Sequence, residues 1–310
     1  MYARPFTNIL KKNFNFYMMN IGFPVPDFDF DDDEPCPSMF NPIPSSLHTL
    51  TEEELCELYT KKDLQLQSDS PLRCTSNSAV YAARSSDGMC WAVKITEHKR
   101  RVKDEYNKRM KVQDSPYLVK TIDYFEIKTK ALLQMELCPD GDISSYQFVE
   151  ASEWKMIFDI GNALYQLHNA HWMHLDVSPG NILVLGDMFK LADFGTLTLI
   201  GQFVEGNEGA GPFVSPEALA YPCGTYKVGA PTDIFSFGVV LLEAISKQLA
   251  PRGGCDGYQK LRRGELMLGS PGYPANCSDE LKNIVNDMLS VDPNARPTAS
   301  DLVNIARTHI

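Results

Sequence analysis

The hydrophobic pattern changes period partway along the chain, and that change limits the folds open to it. From about residue 64 to 135 the apolar residues fall in short β-rich runs, "AVYAAR", "CWAVKIT", "LVKTIDYFEI" and "ALLQMELC". Turn residues such as Ser85-Ser86-Asp87-Gly88 separate them, as expected of strands joined by tight connections. One helical stretch, "KRRVKDEYNKRMKVQ", interrupts the series. After residue 140 the spacing turns helical. In "SEWKMIFDIGNALYQLH", Trp154, Ile157, Phe158, Leu164 and Tyr165 keep a helical period of about 3.6 residues. A strand-rich part followed by a helix-rich part predicts an α+β, bilobal chain with a small β-rich N-lobe, a larger helical C-lobe and a ligand cleft between them. The sequence carries no internal repeat.

The 310 residues are 44% hydrophobic, enough for a two-lobed domain with buried cores. A net charge of −11 lacks the basic face that nucleic acid requires, which excludes that partner class. The eight cysteines form no CxxC pair and no zinc-like spacing, so they read as reduced thiols in a cytoplasmic or nuclear protein. No stretch reaches the ~18 apolar residues of a membrane span. The nearest, "IFSFGVVLLEAI", is bracketed by Asp233 and Glu243 and reads as a buried core helix. The N-terminus lacks the order of a signal peptide. Residues 1–50 mix acids, prolines and isolated aromatics, which predicts a solvated arm; Phe28 and Phe30 could alternatively form a docking motif. Thr51 followed by Glu54 has the spacing of a capping box, so a short helix is expected over residues 51–63.

Three short signals then occur in order. Lys94 lies in "WAVKIT", Asp176 and Asn181 in "HLDVSPGNIL", and Asp193 opens "DFG" in "KLADFGTL". Each is weak alone; in this order and spacing they resemble a protein kinase. "SPEAL", "TDIFSFGVVLLE" and "DPNARPT" follow. The resemblance covers residues 64–307, with an N-lobe at 64–138 and a C-lobe at 139–307. It implies ATP and Mg²⁺ as cofactors and a catalysis made of positioning and electrostatics. Lys94 would meet the α- and β-phosphates, held by a carboxylate on the next helix. Glu105, 11 positions on, is the carboxylate that fits, unless it is a solvated partner of Lys108 or Arg109. Asp193 and Asn181 would hold the metal, and Asp176 would accept or orient the substrate hydroxyl. Backbone groups around Glu136 and Cys138 would read adenine, with Val80, Ala92, Met135 and Leu183 flanking the nucleotide and Asp142 reaching the ribose. Glu217 is expected to pair with Arg296 in a fold-keeping role.

"MELC", "HLDVSPGNIL" and "EGAGPFVSPEAL" narrow the resemblance to the Wee-type kinases, which inhibit cyclin-dependent kinases, and within them to the membrane-associated tyrosine- and threonine-specific branch. Leu175 stands where that branch has leucine and most kinases have a phosphate-reading arginine. The resemblance implies a monomer acting on a protein, a cyclin-dependent kinase being the expected substrate. Several positions depart from the pattern. Arg73, Thr75 and Ser78 occupy the places of the three loop glycines, Ser178 replaces a lysine, and Ala210 and Phe213 replace aspartate and tyrosine. Thr75 and Ser78 are small enough to substitute in part for glycine, and Arg73 could lend a cation. These departures keep open a pseudokinase that binds partners without catalysis. A small-molecule kinase is a more distant option, disfavoured by the "SPE" segment.

Overall fold

The computed structural model describes residues 49–148, 151–203, 211–221, 223–253 and 255–310. The arm expected over residues 1–50, with Phe28 and Phe30, lies outside them except for Thr49 and Leu50, and Ala210 lies outside them too. Helix α1 (Glu52–Lys62) opens with the expected capping box. The Thr51 hydroxyl accepts from Glu54 N at 3.3 Å, and Glu54 Oε2 accepts from Thr51 N at 2.9 Å. The two bonds satisfy donors that a bare helix end would leave open.

Strands β1 (Gln65–Leu66), β2 (Arg73–Cys74), β3 (Ala79–Arg84), β4 (Cys90–Thr96), β5 (Thr121–Ile127) and β6 (Lys130–Glu136) form one antiparallel sheet. Its order is β1-β3-β4-β6-β5, with β2 also pairing with β3. Val80 stands opposite Lys94, and Ala92 opposite Met135. Because side chains alternate along a strand, these four share one face. The other face carries Tyr81, Val93, Ile95 and Leu132, which pack with Leu58 of α1 into a buried cluster. Helix α2 (Lys99–Arg109) covers part of the first face, where Val102 packs with Ala131 and Leu133. Covering the sheet from both sides leaves the Val80–Lys94 strip facing the second lobe.

That lobe contains α3 (Ser152–Asn169), β7 (Trp172–Met173), β8 (Ile182–Leu185), β9 (Met188–Leu191), β10 (Thr198–Leu199), α4 (Pro216–Leu219), α5 (Pro231–Ser246), α6 (Asp256–Arg262), α7 (Asp279–Met288) and α8 (Ala299–Ala306). Helix α5 is the core helix its composition predicts: Phe235, Phe237, Val239, Val240, Leu241 and Leu242 are each at most 1% exposed. On α3, Trp154, Ile157 and Leu164 are buried, but Tyr165 is 43% exposed. One residue past Leu164 is a turn of about 100°, which carries Tyr165 off the buried face. The lobes are stitched together where Val119 N donates to Leu191 O and Leu191 N donates to Tyr117 O, both at 2.9 Å. No helix among the described residues is long and apolar enough to cross a membrane.

Candidate active site

Lys94, on the cleft face of β4, meets the carboxylate expected to hold it, Glu105, and also Asp193. Its Nζ lies 2.9 Å from Glu105 Oε2 and 3.2 Å from each carboxylate oxygen of Asp193. Glu105 is only 3% exposed, so it is not the solvated partner of Lys108 or Arg109 that its spacing also allowed. Burial opposes the charge on Lys94, yet the carboxylates of Glu105 and Asp193 more than offset it and raise the ammonium pKa. For Asp193 burial pushes upward, and the Lys94 ammonium overrides it to hold the carboxyl below the usual range. The site therefore keeps an ionised carboxylate and a cation in contact.

Asp193 adopts φ 61°, a left-handed conformation that costs a non-glycine residue about 1–3 kcal/mol. The surroundings hold it there. Gly195 N donates to its Oδ1 at 3.2 Å, and Phe194 is buried behind it. The Phe194 ring lies under the Arg109 guanidinium at 5.1 Å and edge-on to His174 at 5.8 Å. Arg109 is one turn beyond Glu105 on α2, so the same helix secures both Lys94 and the segment carrying Asp193.

The loop bearing Asp176 is held from below by Asp233, at the start of α5. Its Oδ1 accepts from Leu175 N and its Oδ2 from His174 N, both at 2.8 Å, while His168 Nε2 lies 2.9 Å from Oδ2. This clamp fixes Leu175 at φ 65°. Leu175 itself is buried with Met173, Phe203, Val214, Ala218 and Val228, so apolar packing fills the place where an arginine would read a phosphate. Asn181 turns its amide nitrogen to Asp176, donating to Oδ2 at 2.8 Å and to the backbone oxygen at 2.9 Å. Burial raises the Asp176 pKa, with the nearby His174 pulling the other way.

The expected nucleotide residues gather around the same cleft. Val80, Ala92 and Met135 lie on the Lys94 face of the sheet, and Leu183 on β8 bridges to Asp142. Asp142 Oδ1 accepts from Ser144 N at 2.9 Å, capping the short turn that follows. The Glu136 N–H donates to Lys120 O at 2.8 Å, so that donor is not among the groups left for adenine. Its side chain is held by Lys190, whose Nζ sits 2.7 Å from both carboxylate oxygens. Cys138 is buried, and desolvation aided by the Glu136 charge pushes its thiol up to about 12.

The loop between β2 and β3 corrects one expectation. Thr75 and Ser78 turn inward instead of standing in for glycines. Thr75 N donates to Ser78 O at 2.8 Å, and the Thr75 hydroxyl accepts from Ser78 N at 3.1 Å. Amides that a glycine loop would offer to phosphate are thus closed on their own turn. Neither residue, nor Arg73, needs positive φ, so the missing glycines leave no backbone strain. Arg73 reaches across the cleft: its Nη1 donates to Gly180 O at 2.5 Å and to Asn181 Oδ1 at 3.1 Å.

Further along, Glu217 and Arg296 form the expected buried pair, with bonds of 2.7 and 2.8 Å. Phe213 is buried, and its carbonyl accepts from the Ser236 hydroxyl at 2.8 Å. Sequence reasoning missed the clamp by Asp233, the Lys190–Glu136 pair and the Arg109–Phe194 stack. An acid at the head of an otherwise apolar helix was the available signal for the first.

The residues present suit a magnesium nucleotide. An ionised carboxylate and a neutral amide oxygen are hard donors for Mg²⁺, with an ammonium beside them for phosphate oxygens. A family model described as protein kinase domain matches residues 75–306. Among curated proteins, the mitosis inhibitor protein kinase mik1 of Schizosaccharomyces pombe is 28% identical over 235 residues, covering 68% of this chain and 39% of that protein. The membrane-associated tyrosine- and threonine-specific cdc2-inhibitory kinase wee-1.3 of Caenorhabditis elegans is 28% identical over 243 residues, 75% of this chain and 33% of its own length. The mitosis inhibitor protein kinase wee1 of S. pombe is 25% identical over 236 residues, 67% of this chain and 26% of that protein. The chain spans less than half the length of each of these relatives.

Proposed function

The chain belongs to the protein kinase domain family, and from that premise we propose that it is a Wee-type kinase that phosphorylates a protein hydroxyl, with a cyclin-dependent kinase as substrate. The observation that carries this reading is the cluster of Lys94, Glu105 and Asp193 facing the Asp176–Asn181 pair. When bound, Mg-ATP supplies the phosphoryl donor and the metal charge that offsets the phosphate oxygens.

Lys94, held by Glu105, would orient the phosphates, and Asp193 and Asn181 would hold the metal. Asp176 takes the proton of the substrate hydroxyl as that oxygen bonds to the γ-phosphorus and the bond to the departing ADP oxygen breaks. Its raised pKa suits it to accept a proton, and Asn181 fixes the carboxylate through Oδ2. The buried Leu175 favours activity independent of an activation-loop phosphate. The comparisons lend the pseudokinase alternative no support, and Lys94, Glu105, Asp176, Asn181 and Asp193 are all present.

The test is transfer from Mg-ATP to a purified cyclin-dependent kinase, beside Asp176→Asn. The wild type should phosphorylate the substrate and the variant should lose about 10²–10⁴ in rate. Equal rates, or nucleotide binding with no transfer by the wild type, would overturn the reading.

A further inference from the structure

The hairpin over the cleft carries an arginine where a phosphate-covering loop of this kind carries its first glycine, and the catalytic loop below it has Ser178 where the resemblance expects lysine. Ser178 is buried and carries no charge. Between these two departures the structure shows a connection. Arg73, from the upper lobe, binds the catalytic loop at Gly180 O and Asn181 Oδ1, two and three residues past Ser178. Gly180 leaves room for the approach: a Cβ there would stand 3.0 Å from Arg73 Nη2 and 3.3 Å from Cζ, so the guanidinium would have to shift slightly. The guanidinium also acts on Asp176, drawing its carboxyl down against the larger upward effect of burial. The cation that Ser178 cannot supply is therefore present beside the same loop, delivered from the opposite side of the cleft.

We propose that Arg73 is the γ-phosphate cation of this enzyme, taking over from the hairpin the role that a catalytic-loop lysine would fill. This rests on the reading of the cleft as a Mg-ATP site. A guanidinium presents five N–H donors in a planar fork suited to phosphate oxygens, and only Nη1 is engaged by the two bonds above. Asn181 Oδ1 is also the oxygen expected to hold metal. A metal held there would repel the guanidinium, which would favour turning Arg73 toward the phosphates. Arg73 would then move from the catalytic loop, where it lies here, to the γ-phosphate when nucleotide is bound.

Restoring glycine at position 73, which the family pattern favours, should harm the enzyme. Arg73 is exposed, so Arg73→Gly should fold, which its melting temperature checks. Affinities for Mg-ATP and Mg-ADP are measured by calorimetry for the wild type, Arg73→Gly, Arg73→Lys and the double variant Arg73→Gly/Ser178→Lys, together with kcat and KM. Arg73→Gly should weaken ATP roughly tenfold with ADP within about twofold, and lower kcat by ~10²–10³. Arg73→Lys should keep most of the ATP preference, and the double variant should recover it along with kcat. The proposal fails if Arg73→Gly leaves the ATP-to-ADP ratio unchanged, if it speeds transfer, or if lysine at 178 rescues nothing. If the wild type prefers ATP through Arg73 but transfers no phosphate, the kinase reading falls while the assignment of Arg73 to the γ-phosphate stands. If it binds neither nucleotide, both fall.

Discussion

Asp176 sits where a carboxylate is harder to ionise than in water. Burial raises its pKa, and the His174 ring and the Asn181 amide limit the rise. A general base works in its ionised form, so the rate should fall as pH drops through this raised value. The acid limb of the kcat/KM–pH profile for Mg-ATP, which reports the free enzyme, is therefore expected above ~3.9, the ordinary aspartate value, and the Asp176→Asn variant should lack it. A limb at or below the ordinary value would remove Asp176 from the role of base. Its neighbours show how unevenly a sequence reveals single residues. Lys94, Asp176, Asn181 and Asp193 each sit in a short local pattern, because their chemistry needs particular backbone turns next to them. Glu105 was reachable through helix geometry, as the carboxylate on α2 able to face β4. Arg73 could only be suspected: its partners lie 107 and 108 residues away in the chain, and no period or turn signal encodes that contact.

Helices were readable to the extent that one face decides their place. α5 is apolar nearly all round, which placed it in the core, and Asp233 at its head then serves as the buried clamp of the catalytic loop. The composition of α5 does not say how closely it meets its neighbours. Gly238 shows this: a Cβ there would lie 2.9 Å from Met288 Cβ and 3.2 Å from Leu289 Cδ2. The nearer atom is attached to the backbone of α7, so α5 and α7 would have to separate. Gly238→Ala should gain helix propensity worth about 1 kcal/mol and lose more to overpacking, typically 1–3 kcal/mol. The expected outcome in thermal unfolding is a lower melting temperature; an unchanged or raised one would mean that the two helices yield at little cost. Tyr165 makes the complementary point on α3. Helical spacing put it with the buried residues, and the 43% exposure shows that a face read from five residues is uncertain at its edge.

At the scale of the molecule, the lobes are joined by charge as well as by backbone. Lys94 contacts Asp193, Lys190 holds Glu136, and Arg73 holds the Gly180–Asn181 corner. A ligand filling this cleft would bind the folded state alone. Mg-ATP at a hundredfold its Kd should stabilise the chain by about 2.7 kcal/mol, a rise on the order of 5–10 °C for a domain of this size. A thermal-shift titration checks this, with Asp193→Asn expected to lose most of the magnesium-dependent part. A melting temperature indifferent to saturating Mg-ATP would rule out a nucleotide site. The sequence by itself determined the two-lobed class, the core helix, the capping box and the four motif residues, because periodicity, capping and turn chemistry act over a few residues and leave local marks. Only the tertiary structure decided that Thr75 and Ser78 close on themselves, that Asp233 clamps the catalytic loop, and that Arg73 crosses to the loop where Ser178 leaves a charge missing. The Thr75–Ser78 turn is local, but its bonds depend on side-chain rotamers that no sequence pattern marks. The Asp233 and Arg73 contacts join residues 58 to 108 positions apart and exist only once packing has assembled the helical lobe and set the sheet against it.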